Sequence, residues 1–327
     1  MYDIAALGEL LIDFTPNGQN EMGMSLFARN PGGAPGNVLV MATRLGCSTA
    51  FIGKVGQDDF GFFLRDILDK NGIDTTGLVM NPEVNTTLAF VQLNEAGDRS
   101  FSFYRKPGAD MTLSVDEVNQ GLIEQAAIFH FGSVSLTSDP CRSATFFAAK
   151  AAKNQGKLIS FDPNYRPPLW DYDWERAKGE ILAALPLADV LKISEEELAL
   201  LTGQNDIEHG AALLAQQGPS VILVSRGPAG AYCRTKTMKE TLPTYDVKTV
   251  DTTGAGDAFL GAVLSRLRGY TVSGLNDIRT DEWRDILDFA NAAGSLTTTK
   301  KGAIPAMPTL QAIENCRRAI PLLKIRR

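Results

Sequence analysis

Short β-prone runs alternate with helical patterns along most of the chain, and this alternation restricts the fold more than any other feature. The first quarter reads IAALGELLI, NVLVMATRLG, TAFIGKVG and DFGFFLRDILDKNG. The pattern continues as AAIFHFG, SATFFAAKAAKNQG, LISFD, RAKGEILAALPLA, DVLKIS, EEELALLTG, GAALLAQQG and SVILVSRG. Hydrophobic periodicity that switches repeatedly between strand and helix predicts a layered α/β fold with a mostly parallel sheet. With 327 residues, 44% of them hydrophobic, the chain can fill one large α/β domain with an appendage or two ordinary domains. No fixed-period repeat or low-complexity tract interrupts the pattern.

One region breaks it. Thr87-Leu-Ala-Phe-Val-Gln-Leu93 and Arg99-Ser-Phe-Ser-Phe-Tyr-Arg105 are both strand-like, and Asn94-Glu-Ala-Gly-Asp98 between them is a hairpin signal. Such a hairpin is either an extra edge of the main sheet or a separate flap over a site.

A formal charge of −6 gives no overall basic field for nucleic acid, and the basic end Lys324-Ile-Arg-Arg327 reads as a solvated tail. An anionic substrate must therefore be held by local groups. Cys47, Cys141, Cys233 and Cys316 form no CxxC pair, and only two histidines exist, which excludes a disulfide framework or a zinc cluster and fits a reducing cytoplasm. The start MYDIAALGELLIDF lacks a basic region and carries Asp3, Glu9 and Asp13, so it reads as a first strand and not a signal peptide. No run approaches the length of a membrane span. Asn85-Thr-Thr87 matches a glycosylation acceptor, a short pattern read as chance.

Neither common nucleotide fingerprint is present. The run from Gly46 to Lys54 is followed by Val55 where a P-loop needs Ser or Thr, and Phe259 stands where a dinucleotide-binding turn beginning at Gly254 needs its third glycine. The stretch Asp251-Thr-Thr-Gly-Ala-Gly-Asp257 precedes the apolar run LGAVLSRL. Gly254, Ala255 and Gly256 place bare backbone N–H groups at a helix start, where unsatisfied donors and the dipole favour an anion. Asp257 then stands where a carboxylate can take a proton from an attacking hydroxyl; equally, it is an ordinary acidic first-turn residue, or Asp251 an N-cap. In Asn30-Pro-Gly-Gly-Ala-Pro-Gly-Asn37 the glycines suit close approach of a ligand, and Asn37 offers an amide to sugar hydroxyls or caps a helix. Asp13, at the end of the first strand, either joins Asn37 on a polyol or is a strand-end turn residue.

PGGAPGN followed by GKVGQDDFG, together with the C-terminal DTTGAGDAFLGA, resembles the two signatures of the pfkB, or ribokinase-like, carbohydrate kinases. FYRKPGADM, FDPNYRPPLW, LKISEEE, VSRGPAGAYC and NAAGSLTTTKKGAIPAMP extend the resemblance over nearly the whole chain, and within the family they are most similar to fructokinases. The resemblance implies a three-layer α/β/α sandwich forming a single domain over residues 1–327, with a small β-lid from about 13–30 and 87–105. It implies ATP-dependent transfer of a phosphoryl group to the 6-hydroxyl of D-fructose. The nearest rivals are a 2-keto-3-deoxygluconate or aminoimidazole riboside kinase. A non-catalytic sensor, and a nucleotide-dependent dehydrogenase weakened by the missing fingerprint, stand in other classes.

Residue by residue, the resemblance makes Asp257 the base and Gly254, Ala255 and Gly256 the anion hole. It places Asp13, Gly32, Gly33 and Asn37 on the sugar, Phe103 and Arg105 in the lid, and Asn164 and Arg166 near sugar and phosphate. For Arg105 and Arg166 the alternative is a surface salt bridge. Ser194, Ser225, Gly227, Gly230 and Asn291 fall on the nucleotide side. Ser194 and Glu197 stand where the family often carries Asn-x-x-Glu, with Glu197 reaching magnesium through water. A potassium-type cation is implied beside Asp251 and Thr253, with backbone carbonyls from Thr297, Lys300 and Gly302 and with Ala306 where some members carry serine. ATP, Mg2+ and K+ are thus the implied cofactors, and a cytoplasmic homodimer without nucleic-acid or membrane partners is the implied setting.

Overall fold

The structure is a computed structural model and describes residues 1–93 and 99–324. The turn expected at Asn94–Asp98 lies outside the described residues, as does the end of the basic tail beyond Lys324.

Nine strands form the main sheet among the described residues. In chain order they are β1 (Tyr2–Leu7), β4 (Thr49–Gly56), β5 (Ile73–Asn81), β8 (Ala126–Gly132), β9 (Leu158–Asp162), β10 (Val190–Ser194), β11 (Val221–Ser225), β12 (Ala231–Arg234) and β13 (Lys239–Leu242). A second sheet takes β2 (Leu11–Gln19), β3 (Ser25–Gly32), β6 (Leu88–Leu93) and β7 (Arg99–Tyr104). The main sheet runs β13-β12-β11-β10-β9-β8-β1-β4-β5, parallel from β11 through β5, with β12 and β13 antiparallel at one edge.

The helices are α1 (Ala34–Arg44), α2 (Asp59–Lys70), α3 (Gln120–Gln125), α4 (Cys141–Asn154), α5 (Trp174–Ala184), α6 (Glu195–Thr202), α7 (Ile207–Ala215), α8 (Ala255–Leu267), α9 (Thr280–Thr297) and α10 (Leu310–Ala319). Successive β1 residues point to opposite faces. Ile4 and Ala6 join a core with α1, α2, α8, α9 and α10, whereas Ala5 and Leu7 join one with α3 through α7. Helices thus cover both faces of a mostly parallel sheet, the three-layer sandwich expected from the alternation.

Strand order reverses at β1 and β8, and in open α/β sheets the crevice beyond the strand ends at such a point is where ligands bind. Here the chain departs from the sequence reading. IAALGELLI is not one strand: it leaves the main sheet after Leu7 and re-forms as β2, so Asp13 is the third residue of a strand in the second sheet. Both halves are buried, so the apolar run is continuous and its periodicity does not mark the change of sheet. The β6–β7 pair joins β2 in this second sheet and adds no edge to the main one. The main sheet's antiparallel edge is β12–β13, which the alternation does not mark. Among the described residues no helix is long and apolar enough to cross a membrane.

Candidate active site

Two helix starts meet beyond the sheet. Gly254 caps α8 with φ 76, a conformation that suits glycine, and no side chain caps the helix. A Cβ on Gly254 would lie 2.6 Å from the Ala303 methyl. Asp251 is therefore not the N-cap; the Ala255 N–H donates to the Thr252 carbonyl at 3.3 Å, and no side chain caps the N–H groups that follow it. α1 begins after Gly33, also without a local side-chain cap; instead Glu9 Oε1 accepts the Ala34 N–H at 2.8 Å. The helices approach closely at Gly261, where a Cβ would lie 2.6 Å from the Val38 carbonyl oxygen. This brings the first turns together, and Asn37 Nδ2 donates to Asp257 Oδ2 at 2.8 Å.

Asp257 and Asn37 are buried, and Asn37 Oδ1 has no protein partner. Burial pushes the Asp257 carboxyl above its ordinary value; Lys192, the Asn37 hydrogen bond and Arg166 pull it back, while Asp162 adds to the rise. Asp13 lies against Gly32, where a Cβ would stand 2.2 Å from Asp13 Oδ2. It stays partly open to solvent, and burial pushes it up to about 7, with Arg166 opposing and Asp257 assisting. Asp13, Asn37, Asp257 and Arg166 thus form one electrostatic cluster. Arg166 is exposed, donates to the Tyr165 carbonyl at 3.2 Å and forms no ion pair among the described residues. Asn164 is buried at φ 46, its N–H on Asp162 Oδ1 at 3.0 Å.

The sequence matches the model for "pfkB family carbohydrate kinase" over residues 1–310. The chain belongs to the pfkB family of carbohydrate kinases. It is 45% identical to a probable fructokinase-2 from Arabidopsis thaliana over 94% of this chain and 93% of that one. Among solved structures it resembles the ATP-bound fructokinase from Xylella fastidiosa, with TM-score 0.88 and 34% identity over 97% of this chain and 98% of that one. A double mutant of the Vibrio cholerae O395 fructokinase, in a form with fructose, ADP and potassium ion bound, gives TM-score 0.86 and 35% identity over 97% and 98%. The three-layer sandwich is the ribokinase-like fold of these proteins.

In this pfkB family member Asp251 ties two loops together. Its Oδ1 accepts the Thr253 N–H at 3.0 Å and hydroxyl at 2.7 Å, and its Oδ2 accepts the Gly302 N–H at 2.9 Å. The Thr298 carbonyl in turn accepts the Val250 and Asp251 N–H groups at 2.8 and 3.1 Å. Residues 297–303 therefore wrap the turn that starts α8. Thr297 is buried with its hydroxyl on the Ala293 carbonyl, Lys300 is exposed, and Ala306 is buried.

Ser194 and Ser225, expected to meet the nucleotide, are register partners at the ends of β10 and β11. Ser194 and Glu197 form a capping box on α6, and Glu197 Oε1 also accepts the Tyr165 N–H at 2.6 Å. Both Glu197 oxygens hold backbone donors, which fixes the 162–166 loop. Gly227 and Gly230 belong to the turn from β11 to β12. Asn291 donates to the Leu242 and Pro243 carbonyls at 3.2 and 3.1 Å, the same segment that Gly230 abuts. Glu197 joins this group to the Asp257 cluster through the 162–166 loop, which carries Arg166.

Arg105 is no surface salt bridge. It is buried, pairs with Asp110 at 2.8 Å and donates to Thr137 Oγ1 and the Val134 carbonyl at 2.9 and 3.1 Å. With Phe103 it lines an open cleft of about 610 Å³ that includes neither Asp13, Asn37 nor Asp257. The sequence reading missed Glu9, Asp110, Asp162 and Lys192, all buried and charged. Lys192 alone carried a signal, as the charged side chain between the apolar Val190-Leu191 and Ile193.

Proposed function

We propose that this pfkB family member is an ATP-dependent fructokinase, converting D-fructose and ATP to fructose 6-phosphate and ADP. The observation that carries the reading is the Asn37–Asp257 contact at 2.8 Å, which holds a carboxylate at an uncapped helix start. The 6-oxygen of the sugar attacks the γ-phosphorus, the new O–P bond forms as the bridging oxygen departs with ADP, and the hydroxyl proton passes to Asp257. Backbone N–H groups at Gly254, Ala255 and Gly256 hold charge on the phosphoryl oxygens, and Arg166 reaches them from the 162–166 loop. Asp13, Gly32, Gly33, Asn37 and Asn164 orient the sugar. A pure sensor would have no use for a base held in this way.

Ser194, Ser225, Gly227, Gly230 and Asn291 receive the nucleotide. Among the described residues no group of three or more His, Cys, Asp or Glu is placed to hold a metal. Magnesium bound with the ATP phosphates would neutralise their charge, and Glu197 would reach it through water. The oxygen donors around Asp251, Thr253, Thr297, Lys300 and Gly302 suit a hard monovalent cation such as potassium.

The second sheet, with Phe103 on β7, closes over the sugar and keeps water from the phosphoryl group. Met22, Met24, Leu26, Phe27 and Tyr104 expose apolar surface there, which supports pairing of this sheet between two copies of the chain. The four cysteines are free and buried, in keeping with work in the cytoplasm.

The Asp110 partnership of Arg105 favours a neutral sugar, because a guanidinium already paired is a poor receptor for an acid sugar's carboxylate. ADP release is to be measured over fructose, 2-keto-3-deoxygluconate, ribose and nucleosides. Fructose should give the highest kcat/KM; preference for another acceptor overturns the fructose assignment, and no turnover with any of them counts against the kinase reading.

A further inference from the structure

The C-terminal ends of the central strands carry buried polar side chains that the reaction above does not use. Lys192 Nζ, on β10, donates to Asp162 Oδ2, at the end of β9, at 2.8 Å, and both side chains are almost wholly buried. Asp162 Oδ1 accepts the Asn164 N–H, so the carboxylate ties the lysine to the loop bearing Asn164 and Arg166. At the other end, a Cβ on Gly256 would stand 3.0 Å from Lys192 Nζ. The ammonium therefore lies against the second residue of α8.

Stability alone gives no reason for this arrangement. A buried ion pair gains little over apolar side chains of similar size, and Leu191 and Ile193 on either side are fully buried. A cation beside a helix N-terminus also has the wrong sign for the dipole. The placement becomes favourable when a further anion sits at Gly256.

We propose that Lys192, held by Asp162 against Gly256, is a further catalytic residue whose ammonium binds the transferred phosphoryl group. The proposal rests on the kinase reading of the α8 start. The charged groups around Asp257 are Lys192 from β10, Asp162 from β9, Arg166 from the following loop and Asp13 from β2, with Asn37 of α1 bonded to it. Glu197 of α6 faces Lys192. Carboxylates outnumber cations in this set, and Arg166 is exposed, so Lys192 is its buried cation. Burial alone would depress the ammonium, but Asp162, Glu197 and Asp257 together raise it above its ordinary value, so it stays charged. Lys192 is also the largest pull against the burial-driven rise of Asp257, whereas Asp162 adds to that rise.

The test compares wild type with Lys192→Met, Lys192→Arg and Asp162→Asn. The readouts are kcat/KM against pH, ATP and ADP dissociation constants by calorimetry without sugar, and thermal melting. Lys192→Met should lower kcat by about a hundredfold and weaken ATP about tenfold while leaving ADP within about twofold. Its acid limb should move to higher pH, that of Asp162→Asn to lower pH, and Lys192→Arg should recover part of kcat. Equal weakening of ATP and ADP, or an unmoved acid limb with only a lower melting temperature, assigns Lys192 a purely structural role and overturns the proposal. Should Lys192→Met not fold, an ATP-to-ADP affinity ratio unchanged in Lys192→Arg and Asp162→Asn overturns it instead. A wild type inactive on fructose refutes the fructose assignment, whereas the ATP-to-ADP contrast tests Lys192 whatever the sugar.

Discussion

Asn37 and Asp257, 220 positions apart in the chain, meet through a 2.8 Å hydrogen bond between the first turns of α1 and α8. The amide favours the ionised form of the carboxylate and so opposes the burial that raises its pKa. Asp257→Asn should bind fructose and ATP yet lose turnover by about two or more powers of ten, measured under saturating substrates. Near-normal turnover would remove Asp257 from its proposed role.

Asn37→Ala should lower kcat/KM for fructose about tenfold and move the acid limb to higher pH, because Asp257 loses a donor that holds its pKa down. Activity then rises later as pH increases. A pH profile superimposable on that of wild type would show that the contact does not tune the carboxylate.

Asp13 illustrates a site residue that works against stability. Below about pH 4 its carboxyl is protonated in folded and unfolded chains alike. Because its folded value is raised to about 7, stability from this group is lost as pH rises through that value, less what solvent access screens. Asp13→Asn should therefore leave Tm unchanged at pH 4, raise it by about 2 °C at pH 8 and weaken fructose binding. A lower Tm at pH 8 would contradict the assignment.

Arg105 and Asp110 form a buried pair whose rupture strands a charge. Arg105→Met should cost about 3 kcal/mol in urea unfolding, and adding Asp110→Asn should restore much of it. Additive losses in the double variant would show that the two residues are not energetically coupled.

Asp251 holds the turn before α8 against the loop that ends at Gly302. If a potassium-type cation joins this crossing, replacing potassium by choline should lower kcat roughly tenfold, and Asp251→Asn should be slow in either salt. Wild-type rates equal in the two salts would leave Asp251 with its hydrogen bonds alone.

The alternation of strands and helices fixes the layered architecture, because local periodicity records which faces are buried: TAFIGKVG is β4 residue for residue, and LISFD is β9. DTTGAGDAF likewise announces the start of α8, since glycine conformation and small side chains are local properties. Local pattern does not report partners. Only the tertiary structure carries IAALGELLI from one sheet to another, sets Asn37 on Asp257, buries Arg105 on Asp110 and lays Lys192 between Asp162 and Gly256. These relationships depend on charge, burial and close approach between segments far apart in the chain, and such energies exist only once the layers have packed.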